Sequence, residues 1–458
     1  MTECTRQPLL FSSLGRKKIA ADFTGGTLTS DAGGLLLREV DRQLGLIDRL
    51  TECLTDSRDP SKIKHDLRTM LAQRILGIAL GYEDLNDHDT LRHDPLFAVM
   101  ADRPPASPQP LASAPTLCRF ENRVDRKSLA RMSKVPVESF IRSFDSPPQE
   151  LILDFDATDD AVHGKQEGRF FHGYYDHYCF LPLYVFCGSQ LLVSYLRPSN
   201  IDPALHAWAI LKLLVQRFRQ VWPQVRIILR GDSGFCRWKM MRWCDRHDVH
   251  YVLGLSRNPV LERLSKGFMA GAEEAFRQTG AKQRHFHEVR YAAQTWDRER
   301  RVIVKAERLL EGPNLRFLVT NLPGVDASGA GYSPTDVYDR LYIARGDMEN
   351  RIKEQQGMLF ADRTSCHAFL ANQFRLMLSA FAYVLVDHLR RTTLRDTELA
   401  GAQASTIRLK LFKVAARVVV SVRRVWLHLS SAYPLQALFR RIIQRLLQAT
   451  GPPPIPSR

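Results

Sequence analysis

ELILDFDATDD, residues 150–160, is the stretch around which the predicted fold is built. Its apolar residues 151–153 and Phe155 predict a buried strand, and this strand ends in carboxylates. Asp154 and Asp156 are two residues apart, so both side chains lie on one face of a regular strand. Acids at the carboxyl end of a strand lie at the sheet edge where open α/β folds bind ligands. The stretch therefore predicts either a ligand site or a polar strand end with capping Asp residues.

The overall composition favours a polyanionic partner. The 458 residues carry a formal net charge of +16, with a sequence pI near 9.6. A charge of this sign and size is typical of proteins that bind nucleic acid. An anionic membrane is the less favoured partner, because no amphipathic basic helix dominates the sequence. By length, roughly two to four domains are expected.

Signals for membrane insertion and export are not recognisable in the sequence. No apolar run reaches the ~18 residues that a membrane span requires. The first ten residues, MTECTRQPLL, lack a basic region followed by an apolar stretch, so no signal peptide is expected. The eight Cys residues form no CxxC pair and are interpreted as reduced thiols. We therefore expect a cytoplasmic protein without a membrane partner.

The segments after residue 150 alternate in an order that resembles a ribonuclease H-like core. Residues 178–186 and 191–196 are predicted as a hairpin of strands, and a helix follows from Asp202. An apolar strand at 225–229 runs into RGDSGF (Arg230–Phe235), and a further helix and strand follow. This order gives mixed pairing at one sheet edge and parallel strands beyond it. The predicted fold class is thus α/β, with a ribonuclease H-like catalytic core.

A β-rich insertion and a late helix are predicted after this core. Residues 284–291, 301–307 and 315–320 are expected to form the strands of a separate insertion. Ser333 and Pro334 then predict the start of a helix that continues through YDRLYIARGDMENRIKEQQG, residues 338–357. Side chains three or four residues apart share one face of such a helix. The residues on that face are Tyr342, Arg345, Glu349 and Lys353.

Helical and basic segments flank the core. Residues 1–100 are predicted as mostly helical, and two basic helices at 116–124 and 126–144 are consistent with either a helix-turn-helix or a solvated basic face. Residues 369–389 predict an apolar helix packed on the core. No acidic residue follows Glu398, and the alternation within 407–429 predicts strands with one basic face. Because solvated faces usually mix both signs, this C-terminal region is expected to contact nucleic acid.

These patterns predict five regions along the chain. They are a helical DNA-binding N-terminal region (1–145), the first part of the ribonuclease H-like core (146–257), a β-rich insertion (258–332), the completion of the core with the Glu-bearing helix (333–400) and a basic C-terminal region (401–458).

Three carboxylates stand out by their context. Asp156 and Asp232 end neighbouring strands, and Glu349 lies on the late helix. Mg²⁺ prefers oxygen ligands in octahedral geometry and keeps positions open for water and phosphate. Two such ions can activate the attacking oxygen and stabilise the leaving oxygen of an in-line displacement. The trio therefore predicts metal-dependent phosphodiester chemistry, with the basic surface binding the nucleic-acid backbone.

The sequence is similar to the DDE transposases of bacterial insertion sequences, and it most closely resembles the insertion-sequence-1380 group. The resemblance covers nearly the whole chain. The last of its segments is similar to the Tyr-Arg-Glu-Lys signature of related transposases, but the Lys position, seven after the Glu, is Gln356 here. Lys353 is the candidate substitute. The matching segments are LDFDATDD (Leu153–Asp160), HGKQEGRFFHGYYDHYCFLPLYVFCG (His163–Gly188), RGDSGF (Arg230–Phe235) and YIARGDMENRIKE (Tyr342–Glu354).

The resemblance implies roles for individual residues. Two Mg²⁺ ions, for which Mn²⁺ can substitute, would be bound by the three carboxylates named above. Asp156 is preferred to Asp154 because Asp-Ala-Thr resembles the Asp-small-Thr pattern of the family. Tyr342 and Arg345 would either contact the phosphate backbone near the cleaved end or only brace the helix. Trp296, in the insertion, is either the residue that stabilises a flipped base or a packing Trp.

The predicted function is cut-and-paste DNA transposition. The protein would bind the terminal inverted repeats of its element as a homodimer on paired ends, cleave each end and join the freed 3′-hydroxyl to target DNA. We expect it in the bacterial cytoplasm, associated with the nucleoid. The alternatives are a ribonuclease H-like nuclease or resolvase and an inactive DNA-binding protein derived from a transposase. A zinc site at Cys236, Cys244, His247 and His250 and a glycosidase pair at Asp154 and Asp156 are disfavoured by spacing and by charge.

Overall fold

The computed structural model describes residues 8–448, which form two compact units. The central unit runs from Glu121 to Asp387. The end unit combines the N-terminal residues up to Phe120 with the residues from His388 onward. Most of the predicted N-terminal helical region and the described part of the basic C-terminal region therefore belong to one unit.

The N-terminal part of the end unit is mostly helical, as predicted, but it begins with a hairpin of strands. Gly15 has a φ of +59°, and this left-handed conformation closes the tight turn of the hairpin. The elements are β1 (Leu9–Leu14), β2 (Lys17–Ala21), β3 (Leu28–Thr29), α1 (Gly34–Leu44), α2 (Leu46–Glu52), α3 (Leu67–Leu80), α4 (Asp87–Leu91), α5 (Pro95–Met100) and α6 (Ala114–Asn122).

Strands and helices alternate through the central unit. The long predicted helix at 126–144 is interrupted and forms two shorter helices. The elements are α7 (Arg126–Met132), α8 (Val135–Arg142), β4 (Glu150–Ala157), β5 (Asp160–Ala161), β6 (Phe170–His172), β7 (His177–Phe180), β8 (Leu183–Cys187), β9 (Gln190–Tyr195), α9 (Ala207–Val221), β10 (Arg226–Gly231), α10 (Trp238–Arg246), β11 (His250–Leu255), α11 (Pro259–Thr279), β12 (Gln283–Tyr291), β13 (Arg300–Leu309), β14 (Gly312–Thr320), α12 (Arg345–Leu359) and α13 (Phe369–Thr393).

An eight-stranded mixed sheet organises this unit, which therefore has a mixed α/β fold. The strand order is β12-β13-β14-β11-β10-β4-β8-β9. The strands β4, β10 and β11 are parallel to one another, and the other pairs are antiparallel. The strands β5, β7 and β6 form a small sheet of their own.

The three strands expected as a separate insertion continue the main sheet. β14 pairs with the core strand β11, from Val252 opposite Thr320 to Leu255 opposite Phe317. β13 and β12 then extend the sheet outward. The expectation of a separate β-rich body is thus wrong, because backbone pairing with β11 is a long-range contact that local alternation does not reveal.

Alternation along the strands divides the sheet into two faces. On the first face, the odd-numbered residues within 151–155 of β4 pack with apolar residues of α8, α9, α10 and α11. On the second face, which we call the acid face, Ile152 packs in a cluster that includes residues 337 and 338. Asp154 and Asp156 follow Ile152 at intervals of two residues. Both aspartates therefore belong to the acid face.

The predicted continuous helix over 338–357 is divided in the structure. Residues Asp336–Tyr342 form a π-helical turn, in which Ile343 N–H donates to the Tyr338 carbonyl at 3.0 Å. The α-helix α12 begins only at Arg345. The wider i→i+5 turn shifts the faces of the two segments relative to a regular helix. Tyr342 and Glu349 thus do not share one α-helix.

The apolar helix α13 is confirmed. By length and composition it would be able to cross a membrane, yet 78% of its apolar window is buried inside the protein. A helix that is apolar on most sides and buried is the expected core helix of a large unit.

The C-terminal part of the end unit packs back on its N-terminal part. Ala32 N–H donates to the Val414 carbonyl at 2.9 Å, and Lys413 Nζ lies 2.5 Å from Asp31 Oδ1. The first part of the segment expected as strands, residues 407–412, is instead helical. The elements are α14 (Ala404–Ile407), a π-helical turn (Arg408–Phe412), β15 (Ala416–Val420), β16 (Val425–Leu429) and α15 (Gln436–Gln448), and β16, β15 and β3 form a sheet in that order.

We predict that Gly33→Ala destabilises the end unit. A Cβ atom at Gly33 would lie 1.8 Å from the Leu411 carbonyl oxygen and 2.6 Å from Phe412 Cα, so backbone must shift. Overpacking of this kind costs about 1–3 kcal/mol. Differential scanning calorimetry should show a lower thermal midpoint. Gly25→Ala, whose Cβ would meet Leu28 at an ordinary 3.5 Å, is the control and should leave the midpoint unchanged.

Candidate active site

The parallel pairing of β4 with β10 brings two of the predicted acids together. Gly231 lies opposite Phe155 in this register. Asp232 follows Gly231 and Asp156 follows Phe155, so both aspartates lie at the carboxyl edge of the sheet. Asp232 also accepts a hydrogen bond from Gly234 N–H at 2.8 Å, which begins a short 3₁₀ turn and orients the carboxylate.

Arg345 connects the third acid to this edge. Its Nη1 donates to Asp156 Oδ2 at 3.4 Å, and its Nη2 donates to Glu349 Oε1. Arg345 and Glu349 are four residues apart in the first turns of α12, where such pairs face each other. The guanidinium therefore lies between two carboxylates that come from a strand and a helix.

The electrostatics of Asp156 reflect this cluster. Burial raises the pKa of its carboxyl group to about 7, and the charge of Arg345 opposes the increase. The negative charges of Asp232 and Glu349 raise the pKa of Asp156 further. The three predicted acids thus act on one another through space. Among residues 8–448, however, no group of three or more His, Cys, Asp or Glu side chains has the arrangement of a ready metal site.

Asp154 has a different environment from Asp156. It is 2% exposed, and Arg230 Nη2 donates to its Oδ2 at 2.6 Å while Arg230 Nε donates to its Oδ1. Arg230 Nη1 also donates to the Leu341 carbonyl, at the end of the π-helical turn. Burial raises the pKa of Asp154, and the hydrogen bonds and charge of Arg230 lower it. Both carboxylate oxygens of Asp154 are therefore engaged in a buried ion pair.

Sequence reasoning missed this ion pair. Arg230 lies two residues before Asp232, as Asp154 lies two residues before Asp156. Two parallel strands in register would place both earlier residues side by side on the acid face. The repeated spacing was the available signal, but it has meaning only once the two strands are known to be neighbours.

Tyr342 lies close to the edge that carries Asp232. A Cβ atom at Gly254 of β11 would be 2.9 Å from Tyr342 Oη and 2.8 Å from Ser233 N. Glycine at 254 therefore leaves room for the tyrosine hydroxyl next to the Asp232–Ser233 peptide. Burial raises the pKa of Tyr342, and the neighbouring Arg345 opposes this increase.

The two candidates for the Lys of the signature have different surroundings. Gln356 Nε2 donates to the Asp159 carbonyl at 2.8 Å, so the residue at the signature position anchors α12 to the segment after β4. Lys353 is exposed to solvent.

Trp296 is not brought to the acids. The turn between β12 and β13 that carries it lies at the sheet edge opposite the carboxyl ends of β4 and β10, because β13 is parallel to those strands. Its ring is half-buried in the cluster of the first face and packs against Tyr291 at a centroid distance of 5.4 Å. Arg300 lies 5.6 Å from the same ring.

The comparisons with known proteins identify the family. Residues 11–451 match the family model described as Transposase DDE domain group 1. Because this match covers nearly the whole chain, the protein belongs to that family of transposases. It is therefore a protein of DNA transposition.

Among the solved structures that are similar to this chain, one is similar over most of the length of both chains. It is the cryo-EM structure of the piggyBac transposase synaptic complex with hairpin DNA, at a TM-score of 0.42 and 10% sequence identity. The alignment covers 92% of this chain and 82% of that chain. No curated protein matches the sequence.

We predict opposite effects on stability for the two neighbouring aspartates. Asp154→Asn leaves the Arg230 charge buried without its counter-charge and should lower the free energy of unfolding by about 3–5 kcal/mol. Asp156→Asn removes a carboxylate whose pKa is raised to about 7, so it should stabilise the protein at pH 8. Thermal unfolding of wild type and both variants measures the difference.

The stability gain expected for Asp156→Asn depends on pH. Because the folded pKa is above the unfolded value of 3.8, the ionised carboxylate lowers stability above pH 7. This cost decreases as the pH falls from 7 toward 4, where the folded protein holds the extra proton. The advantage of Asp156→Asn over wild type should therefore be largest at pH 8 and smallest near pH 4. An advantage that is constant with pH would contradict the raised pKa.

Proposed function

We propose that the protein catalyses divalent-metal-dependent DNA cleavage at the ends of a mobile element and transfer of the freed strands into target DNA. Asp156, Asp232 and Glu349 are the proposed catalytic carboxylates. The observation that supports this most directly is the electrostatic cluster that these acids form around Arg345, in a chain that belongs to a DDE transposase family. Parallel strands β4, β10 and β11, with antiparallel β8 and β9 at one edge, support a ribonuclease H-like core.

The donor set is suitable for divalent cations. Carboxylate oxygens are the ligands that Mg²⁺ and Mn²⁺ prefer. Asp156 and Glu349 already hold the positive charge of Arg345 between them, so this position stabilises a cation. We propose two Mg²⁺ ions, replaceable by Mn²⁺, held by the three carboxylates after Arg345 has turned away. When bound, the ions would activate the attacking oxygen and stabilise the leaving oxygen of the phosphodiester.

Arg345 is the proposed sensor of the DNA backbone. A phosphate offers the same bidentate geometry to a guanidinium as a carboxylate does. Once DNA is bound, Arg345 can exchange Asp156 and Glu349 for a phosphate and release both acids. The nearby Tyr342 hydroxyl would donate to the same backbone, and the exposed Lys353 would add a further contact. A role for Trp296 at a flipped base gains no support from its packing at the opposite sheet edge.

The proposed partners are two kinds of duplex DNA. The terminal inverted repeats of the element are the cleavage substrate, and target DNA accepts the strands. Because two ends must be cut in one complex, we propose a homodimer. The resemblance of the motifs to the insertion-sequence-1380 group supports a bacterial element and action at the nucleoid. The proposed division of labour assigns catalysis to residues 146–400 and DNA binding chiefly to the flanking regions.

We predict that substitution of any one acid abolishes cutting but not binding. A labelled duplex that carries the end of the element is incubated with Mg²⁺ or Mn²⁺ and wild type, Asp156→Asn, Asp232→Asn or Glu349→Gln. Loss of a metal-binding acid should lower the cleavage rate by about 10³-fold or more. Glu274→Gln, an exposed acid on α11, is the control and should cut normally.

Other results would support the competing functions. Cutting without strand transfer would favour a nuclease or resolvase, and binding without cutting by wild type would favour an inactive DNA-binding protein. Normal cutting by Asp156→Asn, together with loss of cutting in a folded Asp154→Asn variant, would transfer the first catalytic role to Asp154.

We also predict that Arg345 lowers metal affinity in the absence of DNA. In Arg345→Gln the competing positive charge is gone, so Mn²⁺ binding followed by electron paramagnetic resonance should be about tenfold tighter than in wild type. Cutting should decrease, since the phosphate contact is lost. Because the pKa of Asp156 is about 7, Mn²⁺ affinity should fall as the pH drops below 7. Arg340→Gln, an exposed arginine of the π-helical turn, is the control. Equal Mn²⁺ affinity of wild type and Arg345→Gln would refute the competition.

A further inference from the structure

The antiparallel ribbon of β15 and β16 in the end unit has two unlike faces. Val418 pairs with Leu427. Val418 is buried, and Leu427 packs against a cluster that contains Ala416 and Val414. The opposite face, which we call the ribbon face, is exposed to solvent. Its members are Arg417 and Val419 of β15, Arg424 at the turn, and Trp426 and His428 of β16.

Aromatic and cationic groups are stacked along the ribbon face. The rings of Trp426 and His428 are stacked at a centroid distance of 5.9 Å and an interplanar angle of 11°. The Arg424 guanidinium lies 5.8 Å from the centre of the Trp426 ring. Arg417 lies opposite His428 in the pairing of the two strands. Trp426 is 50% exposed, so a large aromatic surface remains in contact with water.

The positive charges of the ribbon have no ionic partner in the part of the chain that the structure describes. No acidic residue follows Glu398 in the sequence. Within residues 8–448, the ion pairs do not include Arg417, Arg423 or Arg424. By contrast, arginines on two of the N-terminal helices lie in ion pairs, as Arg68 does with Asp48 at 2.6 Å.

We propose that the ribbon face is a docking surface for duplex DNA. A two-stranded antiparallel ribbon has the width that the major groove admits. Arg417, Arg423 and Arg424 contact phosphates, which positions the ribbon, and Trp426 and His428 contact the groove surface. This inference rests on the proposed action on DNA, but it does not depend on the catalytic role of the three acids.

The charge of the ribbon decides between DNA and a second copy of the chain. A second copy that presents the same face would bring three further arginines and no acid, and such like-charge contacts are unfavourable. DNA supplies phosphates at a spacing that arginines on a ribbon can follow. The exposed ring of Trp426, with Arg424 over it, also offers apolar surface of the kind that contacts thymine methyl groups in the major groove.

Full-length variants test the proposal by fluorescence anisotropy with a labelled 30-base-pair random duplex. Trp426→Ala should weaken binding about fivefold or more because apolar contact area in the groove is lost, and Trp426→Phe should recover most of the loss. Arg417→Ala and Arg424→Ala should each reduce the slope of log affinity against log salt by about 0.9. Trp208→Ala is the matched control, because Trp208 is 40% exposed and has Lys212 at 5.0 Å from its ring. Arg277→Ala, an exposed arginine of α11, is the second control.

The outcomes separate this proposal from the catalytic one. Wild-type affinity and salt slope in Trp426→Ala and Arg424→Ala would overturn the docking surface, whatever the acid variants do. Normal DNA binding together with lost binding to phosphatidylserine vesicles would also overturn it and would assign the ribbon to a membrane surface. Weak binding by the ribbon variants, with normal binding but no cutting by Asp156→Asn, would support both proposals independently.

Discussion

The buried ion pair between Arg230 and Asp154 fixes the register in which β4 and β10 pair. The candidate site depends on this register. A slip of either strand by one residue would turn its charged side chain toward the apolar helices of the first face and would leave the other charge without its partner. Burying an unpaired charge there would cost about 3–5 kcal/mol. The same arginine donates to the Leu341 carbonyl and holds the π-helical turn. The positions of Asp156 and Asp232 follow from this one pair.

Arg345 gives the acid edge a second property, because one guanidinium balances the two carboxylates of Asp156 and Glu349, which are proposed metal ligands. Without it, Asp156 and Glu349 would face each other and Asp232 as uncompensated charges, and the pKa of Asp156 would be higher still. With it, a cation must compete for the same oxygens. A phosphate that draws Arg345 away removes both the compensation and the competition. In the proposed mechanism, the charges of the cluster are therefore compensated without DNA, and the cluster becomes a stronger cation site when DNA is bound.

Some elements of the fold were predictable from the sequence, and others were not. Alternation and apolar runs were sufficient to predict β4 and the apolar helix α13. The hairpin of β8 and β9 was also predicted, but its first strand, expected over 178–186, is divided into β7 and β8, which belong to different sheets. The three acids of the candidate site were also recognisable, because each ends a strand or lies on a helix in a family-like context. Three features were not predicted. They are the pairing of β14 with β11, the π-helical turn before Arg345 and the helical conformation of residues 408–412. Each depends on hydrogen bonds or packing that local periodicity does not encode.

The amino-acid sequence by itself determined the class of protein, the strands that carry Asp156 and Asp232, and the positive charge of the C-terminal region. These properties are local, since they depend on side-chain alternation, on motif spacing and on composition. Only the tertiary structure decided that Asp154 is held by Arg230 and that Arg345 joins Asp156 to Glu349. Arg230 and Asp154 are 76 residues apart in the sequence, and Arg345 and Asp156 are 189 residues apart. The tertiary contacts of Asp154 and Asp156 therefore decide which of these two carboxylates remains available to a ligand.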